Sequence, residues 1–123
     1  MLFYAIQSKN CIFANIFQNK RHLDVKTHPK LAILTINNGF RSEEVNRKCG
    51  GAKGSNHLTG CAVDIHCYGP EQMIRYARLL LDTADENGWA FDELILEQRG
   101  TTRWIHFAVR PKDNRRKILF DCR

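Results

Sequence analysis

Residues 91–109 read FDELILEQRGTTRWIHFAV, and this stretch decides the fold. Apolar and polar residues alternate on both sides of a Gly-Thr-Thr centre, which is typical of two half-buried strands joined as a hairpin. We predict strands over Glu93–Glu97 and Trp104–Val109, with the hairpin loop over Gln98–Arg103.

The same alternation predicts that an imidazole and a carboxylate meet on one face of this hairpin. Side chains alternate across a strand, so His106 faces away from its apolar neighbour Phe107. Glu93 and Glu97 share one face of the preceding strand for the same reason. Pairing of the two strands therefore brings the imidazole of His106 and a carboxylate of the preceding strand to the same side of the sheet.

The remaining chain predicts a small α+β domain with an antiparallel sheet and flanking helices. Pro70 and Gly88 are good start and stop signals for the clearest helix, which carries an apolar stripe. That stripe comprises Met73, Ile74, Ala77, Leu80, Leu81 and Ala84. The other predicted elements are a strand at 32–36, a turn at 37–39, a helix from Ser42 to Lys48, a loop at 51–60 and a strand at 62–66.

The composition indicates one globular domain over residues 1–123. The chain has a mass of 14.3 kDa, 43% hydrophobic residues and a net charge of +6, with no clear period over 1–30 and a basic tail over 111–123. It contains no apolar run long enough to span a membrane, and its first residues lack the positive region of a signal peptide. We therefore expect a monomer made in the cytoplasm. The sequence matches no recognised nucleic-acid-binding module, so we expect no specific nucleic-acid partner.

The five cysteines are predicted to be free thiols. Their number is odd and they form no C-x-x-C pair, which argues against both a complete disulfide framework and a structural zinc site.

A second segment adds possible metal ligands to the hairpin. His57 and Asp64 lie close in sequence, and Gly60 between them allows the chain to bend so that both side chains converge. Together with His106 they form a plausible three-ligand zinc shell that leaves a fourth position for water. A histidine in a strand is more often a surface or hydrogen-bonded residue, so this pattern alone is only suggestive.

Three motifs resemble the zinc D-Ala-D-Ala carboxypeptidase family, in its small single-domain branch. They are Gly39-Phe40-Arg41-Ser42, then Ser55-x-His57-x-x-Gly60-x-Ala62-x-Asp64, then Trp104-Ile105-His106. The resemblance covers residues 31–110 and implies the hedgehog-like fold of that family. It also implies a zinc-dependent peptidase that cleaves peptides of bacterial peptidoglycan, as D-Ala-D-Ala carboxypeptidases and phage endolysins do.

The resemblance implies His57, Asp64 and His106 as zinc ligands. Arg41 matches the family arginine that binds the substrate carbonyl and stabilises the tetrahedral intermediate. The general base is implied to be Glu97, with Glu93 as the second choice.

Other residues near these motifs keep more than one interpretation. Many family members carry an acid three residues before the last histidine, where this chain has Arg103. This departure favours an alternative function, a non-catalytic zinc-containing module that binds cell wall or protein. Ser55 either orients a ligand or caps a loop, His66 is expected at the rim of the site, and Trp104 either packs or lines the substrate cleft.

Overall fold

The described part of the chain consists of five strands, two α-helices and one 3-10 turn. The structure is a computed structural model and describes residues 36–123. The strands are β1 (Ile36–Asn38), β2 (Ala62–Cys67), β3 (Glu93–Arg99), β4 (Thr102–Ala108) and β5 (Lys117–Cys122). The helices are α1 (Glu43–Lys48) and α2 (Pro70–Asn87), and the 3-10 turn spans Asn56–Thr59. These elements confirm the predicted α+β class.

Several predictions fall outside the described residues. They concern the segment 1–30, Cys11 and all but the last residue of the strand predicted at 32–36. The turn predicted at 37–39 is wrong in its start, because Asn37 and Asn38 belong to β1.

The sheet is mixed, with the strand order β1-β2-β4-β3-β5. Four strands pair antiparallel, as predicted, but β5 pairs parallel with β3. The predicted antiparallel sheet is therefore mixed, because residues of the basic segment 111–123 add one parallel strand at this edge. The ladder begins where the amides of Arg116 and Lys117 donate to the carbonyls of Phe91 and Asp92, at 3.0 and 2.9 Å. A parallel partner needs a crossover connection rather than a tight turn, so local sequence gives little sign of it.

The β3–β4 hairpin is tighter than predicted. Pairing continues to Arg99 and Thr102, so only Gly100 and Thr101 remain in the turn. Gly100 has a φ of 58°, in the left-handed region that glycine adopts without strain.

Helix α2 has the predicted bounds and covers one face of the sheet. Pro70 occupies its first turn and Gly88 ends it with a φ of 63°. The helix buries Met73 and Ala77 as predicted, whereas Ile74 is 59% exposed because each residue rotates the helix by about 100° away from the buried stripe. Tyr76 takes part in the core instead.

The two faces of the sheet carry different chemistry. One face packs under α2 and contributes Ile65, Leu94, Ile105 and Phe107 to the hydrophobic core. The opposite face carries the polar residues that the sequence singled out, because neighbouring side chains alternate. Four of the five cysteines lie in the described residues, at 49, 61, 67 and 122, and they are free thiols as predicted.

Candidate metal centre

The register of the central strands places two of the predicted ligands side by side. Asp64 on β2 pairs directly with His106 on β4, and Asn38 on β1 pairs with Asp64 on its other side. Directly paired residues in an antiparallel ladder point to the same face. Asp64 and His106 therefore project together from the face that α2 does not cover.

A short 3-10 turn brings the third ligand over this face. Ser55 caps the turn, and its Oγ accepts a hydrogen bond from the amide of His57 at 3.3 Å. Gly60 ends the turn with a φ of 72°, so the bend predicted at this glycine is present. The turn carries His57 into full burial above Asp64.

The three side chains present a nearly equilateral triangle of ligand atoms. His57 Nε2 lies 3.2 Å from Asp64 Oδ1 and 3.2 Å from His106 Nδ1, and the third edge, from His106 Nδ1 to Asp64 Oδ1, measures 3.3 Å. Zinc bonds of about 2.0–2.1 Å in a tetrahedron imply ligand spacings of about 3.3–3.4 Å. The spacing of the three atoms therefore fits one face of a tetrahedral zinc shell.

Hydrogen bonding and charge also distinguish the atoms of this triangle. His57 Nδ1 lies 2.7 Å from the carbonyl oxygen of Gly39, which can only accept, so Nδ1 donates to it and Nε2 is the ring nitrogen that faces Asp64 and His106. Burial raises the pKa of Asp64, but its contacts with His106 and His57 outweigh that effect and hold the pKa well below its usual range. Asp64 is therefore a carboxylate at neutral pH. A carboxylate oxygen beside two imidazole nitrogens is a set of ligand atoms that suits zinc.

The second oxygen of Asp64 is held by two side chains. Asn38 Nδ2 donates to Asp64 Oδ2 at 3.1 Å, and Arg41 NH2 lies 3.6 Å from the same oxygen. Oδ1 is thereby left to point at the two histidines. Such outer contacts orient metal ligands and raise their affinity for the ion.

Arg41 lies at the edge of the triangle and is itself fixed. Its NH1 donates to Asn46 Oδ1 at 3.2 Å, and Asn46 donates in turn to the carbonyl of Ala52 at 2.9 Å. The Nε of Arg41 is buried and has no hydrogen-bond partner in the described structure.

Glu97 lies on the same sheet face as His106. Its Oε2 accepts a hydrogen bond from Trp104 Nε1 at 2.7 Å, and its Oε1 lies 3.8 Å from Arg99 NH2. Burial raises the pKa of Glu97 and the charge of Asp64 adds to this effect, although the Trp104 hydrogen bond opposes it. The net pKa lies above the usual glutamate value, as suits a general base that works near neutral pH.

Glu93 flanks the triangle from the other side but is engaged elsewhere. Its Oε1 accepts hydrogen bonds from Asn56 Nδ2 at 2.9 Å and from Arg115 NH2 at 2.8 Å. Its Oε2 lies 3.9 Å from His106 Nε2. Glu93 is thus fixed by two donors, whereas Glu97 keeps one oxygen with only a distant cation beside it.

The other residues named from the sequence are placed as follows. Ser55 takes the capping role, and it acts on the turn that carries His57. Trp104 packs beside Arg99 and holds Glu97. His66 lies two residues beyond Asp64 with its ring against Tyr68, and among the described residues it is not part of the metal-binding group.

Arg103 does not lie on the metal face. It pairs in register with Cys67 and Gln98, and the alternation of β4 directs it to the side opposite His106. An acid at this position of a regular strand would point away from the triangle. The departure from the common family pattern therefore does not alter the metal group.

The sequence did not predict the residues that hold the proposed site residues in place. Asn38 donates to Asp64, Asn56 donates to Glu93 and Asn46 accepts from Arg41, yet isolated asparagines are usually interpreted as turn formers. Asp92 is fully buried and was not predicted as a site residue. Its place directly before an alternating strand was the available signal.

Comparison with known proteins agrees with this geometry. A family model described as Peptidase M15 matches residues 7–107. No curated protein and no solved structure matches the chain. Within residues 36–123, neither helix combines the length and apolar character that a bilayer crossing requires. The family match spans more than half of the sequence and includes all three residues of the triangle, so the chain belongs to the M15 peptidases, the zinc D-Ala-D-Ala carboxypeptidase-like family.

Proposed function

We propose that this chain is a zinc-dependent metallopeptidase that hydrolyses peptide bonds of bacterial peptidoglycan. The observation that carries the proposal is the triangle of His57, Asp64 and His106 atoms, spaced at 3.2–3.3 Å in a chain of a peptidase family. Two imidazoles and one carboxylate suit zinc and leave a position open for water or substrate. We propose these three residues as the zinc ligands.

The proposed mechanism assigns a role to each remaining polar group. Zinc bound to the triangle supplies Lewis acidity, which polarises a carbonyl and makes a water more acidic. Glu97 accepts the proton of the attacking water at Oε1, because Oε2 is occupied by Trp104. Arg41 donates to the oxygen that becomes negative in the tetrahedral intermediate, since its NH2 lies at the edge of the triangle, 3.6 Å from Asp64 Oδ2.

Two contacts support Glu97 rather than Glu93 as the general base. Burial raises the pKa of Glu97, so its carboxylate binds a proton more readily than an ordinary glutamate does. Glu93 instead accepts hydrogen bonds at Oε1 from both Asn56 and Arg115, which fix its carboxylate in place. We therefore propose that Glu93 positions its neighbours rather than transferring protons.

The finer form of the proposal concerns substrate and setting. The candidate bonds are the terminal D-Ala-D-Ala bond, cut by a carboxypeptidase, and an L-Ala-D-Glu-type bond, cut by an endopeptidase. A net charge of +6 favours approach to anionic wall polymers. We propose that the enzyme acts at the cell wall as a monomer, in the manner of a phage lysin.

The first experiment measures metal content and cleavage together. Elemental analysis of the purified protein should find about one zinc per chain, and His106→Ala should abolish it. Purified sacculi and defined muropeptides are then incubated with each protein, and the products are identified by mass spectrometry. Absence of zinc from the wild-type protein, even after zinc is supplied, would refute the proposal.

The second experiment separates the two glutamates. With zinc in excess, Glu97→Gln should lower kcat by about 10²–10⁴-fold, the usual contribution of a general base. Glu93→Gln makes the same chemical change on the same strand and should lower kcat by far less. Equal cleavage by wild type and Glu97→Gln would exclude Glu97 as the base. Zinc binding without cleavage of any of these peptides by the wild-type protein would favour the non-catalytic binding module.

A further inference from the structure

An ionic network around the buried Asp92 lies next to the metal triangle and includes the segment that follows β4. Asp92 is fully buried, and the guanidinium of Arg115 binds both of its oxygens, with Nε 2.9 Å from Oδ1 and NH2 2.8 Å from Oδ2. The backbone amide of Arg115 donates to Oδ1 as well, at 3.1 Å. Bidentate pairing of this kind fixes the geometry of both partners.

The segment around Arg115 is built to hold this arrangement. The side chain of Asn114 closes a ring with Arg110, accepting from its amide and donating to its carbonyl, both at 2.8 Å. Arg116 adopts a φ of 50°, which a non-glycine residue keeps only where neighbouring contacts impose it. Its amide bonds to the carbonyl of Phe91 at 3.0 Å. Arg115 is therefore presented by a fixed loop rather than by a solvated basic tail.

The network reaches both histidines of the triangle. Asn56 Nδ2 donates to Asp92 Oδ2 at 2.8 Å and to Glu93 Oε1 at 2.9 Å, and Asn56 directly precedes His57. Arg115 NH2 donates to the same Oε1 of Glu93 at 2.8 Å. With Oε1 held by two donors, Oε2 of Glu93 is directed toward His106 Nε2, 3.9 Å away.

We propose that Arg115 is a positioning residue of the metal centre. It fixes Asp92 and Glu93, which in turn fix the turn carrying His57 and the carboxylate that faces the far nitrogen of His106. The inference rests on the proposed function only in requiring that the triangle binds zinc. It assigns to Arg115 an effect on metal affinity, although Arg115 touches neither the metal ligands nor the reacting atoms.

The test measures zinc affinity directly. Zinc is titrated into wild-type, Arg115→Ala and Glu93→Gln proteins in competition with a chromophoric chelator. Loss of an outer contact to a metal ligand weakens affinity by about 10–100-fold, and we expect Glu93→Gln to approach that range. Arg115→Ala acts only through Asp92 and Glu93, so we expect a smaller loss of about threefold or more. The absorption spectrum of the cobalt-substituted protein should shift in both variants, because it reports the geometry of the ligands.

Arg116→Ala is the matched control. It removes the same charge from the adjacent position, and its side chain pairs with the exposed Asp85 on the surface at 2.8 Å. We expect its zinc affinity to stay within about twofold of wild type, below the loss expected of either test variant. Thermal unfolding of each metal-free protein separates loss of folding from loss of positioning.

Each outcome decides the inference. Weaker zinc binding in Arg115→Ala and Glu93→Gln, with a shifted cobalt spectrum and an unaffected Arg116→Ala, supports it. Unchanged affinity and spectrum in folded Arg115→Ala would overturn it, even if the variant were less stable. Glu93→Gln leaves the Arg115–Asp92 pair in place. If Arg115→Ala does not fold, unchanged zinc affinity in Glu93→Gln overturns the inference. A wild-type protein that binds no zinc would instead refute the metal centre itself.

Discussion

Gly51 offers a test of whether the position of Arg41 matters for catalysis. A Cβ added at Gly51 would collide with Oδ1 of Asn46 and lie 3.1 Å from NH1 of Arg41. Asn46 is buried and bound to Ala52, so it has little room to yield. Gly51→Ala should therefore displace Asn46 and release the guanidinium that Asn46 holds at 3.2 Å.

The expected magnitudes follow from this collision. Overpacking of a buried site costs about 1–3 kcal/mol, which lowers the melting temperature of a domain this size by roughly 3–10 °C. Loss of a fixed donor to the oxyanion costs up to about 10²–10³ in kcat, and partial displacement of Arg41 should cost about tenfold or more. With zinc in excess, zinc content should remain near the wild-type level, because the added methyl group approaches none of the three proposed ligands and Asn38 still donates to Asp64.

Gly54→Ala provides the control in the same loop. A Cβ at Gly54 meets no atom within 4 Å, so this variant should match wild type in melting temperature, zinc content and cleavage of muropeptides. The assays are thermal unfolding, elemental analysis and steady-state kinetics on one purified muropeptide. If Gly51→Ala behaves like Gly54→Ala in all three, the Asn46–Arg41 contact does not support catalysis and the reasoning fails.

Three further predictions concern protons and metal. The raised pKa of Glu97 means that kcat/KM should fall as the pH drops through an inflection above about 4.3, the ordinary glutamate value, and an inflection at or below that value would contradict the assignment. Hydrogen bonds from Arg115 lower the pKa of Asp92, so the contribution of Asp92 to stability should be complete above about pH 3.9 and disappear as the pH falls below it. Urea unfolding should therefore show a difference in free energy of unfolding between wild type and Asp92→Asn at pH 7 that narrows in acid. A difference that does not change with pH would refute this. Chelation of zinc should lower the melting temperature of wild type and added zinc should restore it, with about 2.7 kcal/mol of stabilisation at a zinc concentration of 100 Kd, whereas His106→Ala should respond to neither.

The sequence predicted the parts of the fold that depend on local pattern. Alternation over 91–109 was sufficient to place His106 and the two glutamates on one face, and the structure has them there. Pro70 and Gly88 gave correct bounds for α2 because helix ends depend on local backbone chemistry. Strand β5 was missed because its pairing with β3 depends on a distant partner and on backbone contacts made by the connecting loop.

The candidate site likewise contains residues that the sequence predicted and residues that it did not. The two histidines and Asp64 could be named from motif and residue type, since metal ligands are few and chemically distinctive. Asn46, Asn56 and Arg115 could not be named, because an amide or a guanidinium acquires its role only from the group that it contacts. The resemblance to a family predicts the ligands, whereas the contacts that hold them are seen only in the folded chain.

The hydrophobic face of the sheet explains how the opposite face can hold its geometry. His106 lies between Ile105 and Phe107, which are buried under α2, and Asp64 lies between Val63 and Ile65, which are buried there too. Packed interiors hold side chains in fixed positions, so the direction of each ligand is set by its neighbours before any metal arrives. The ligand atoms therefore keep their spacing of 3.2–3.3 Å, because the strands that carry two of the three proposed ligands are anchored by the core.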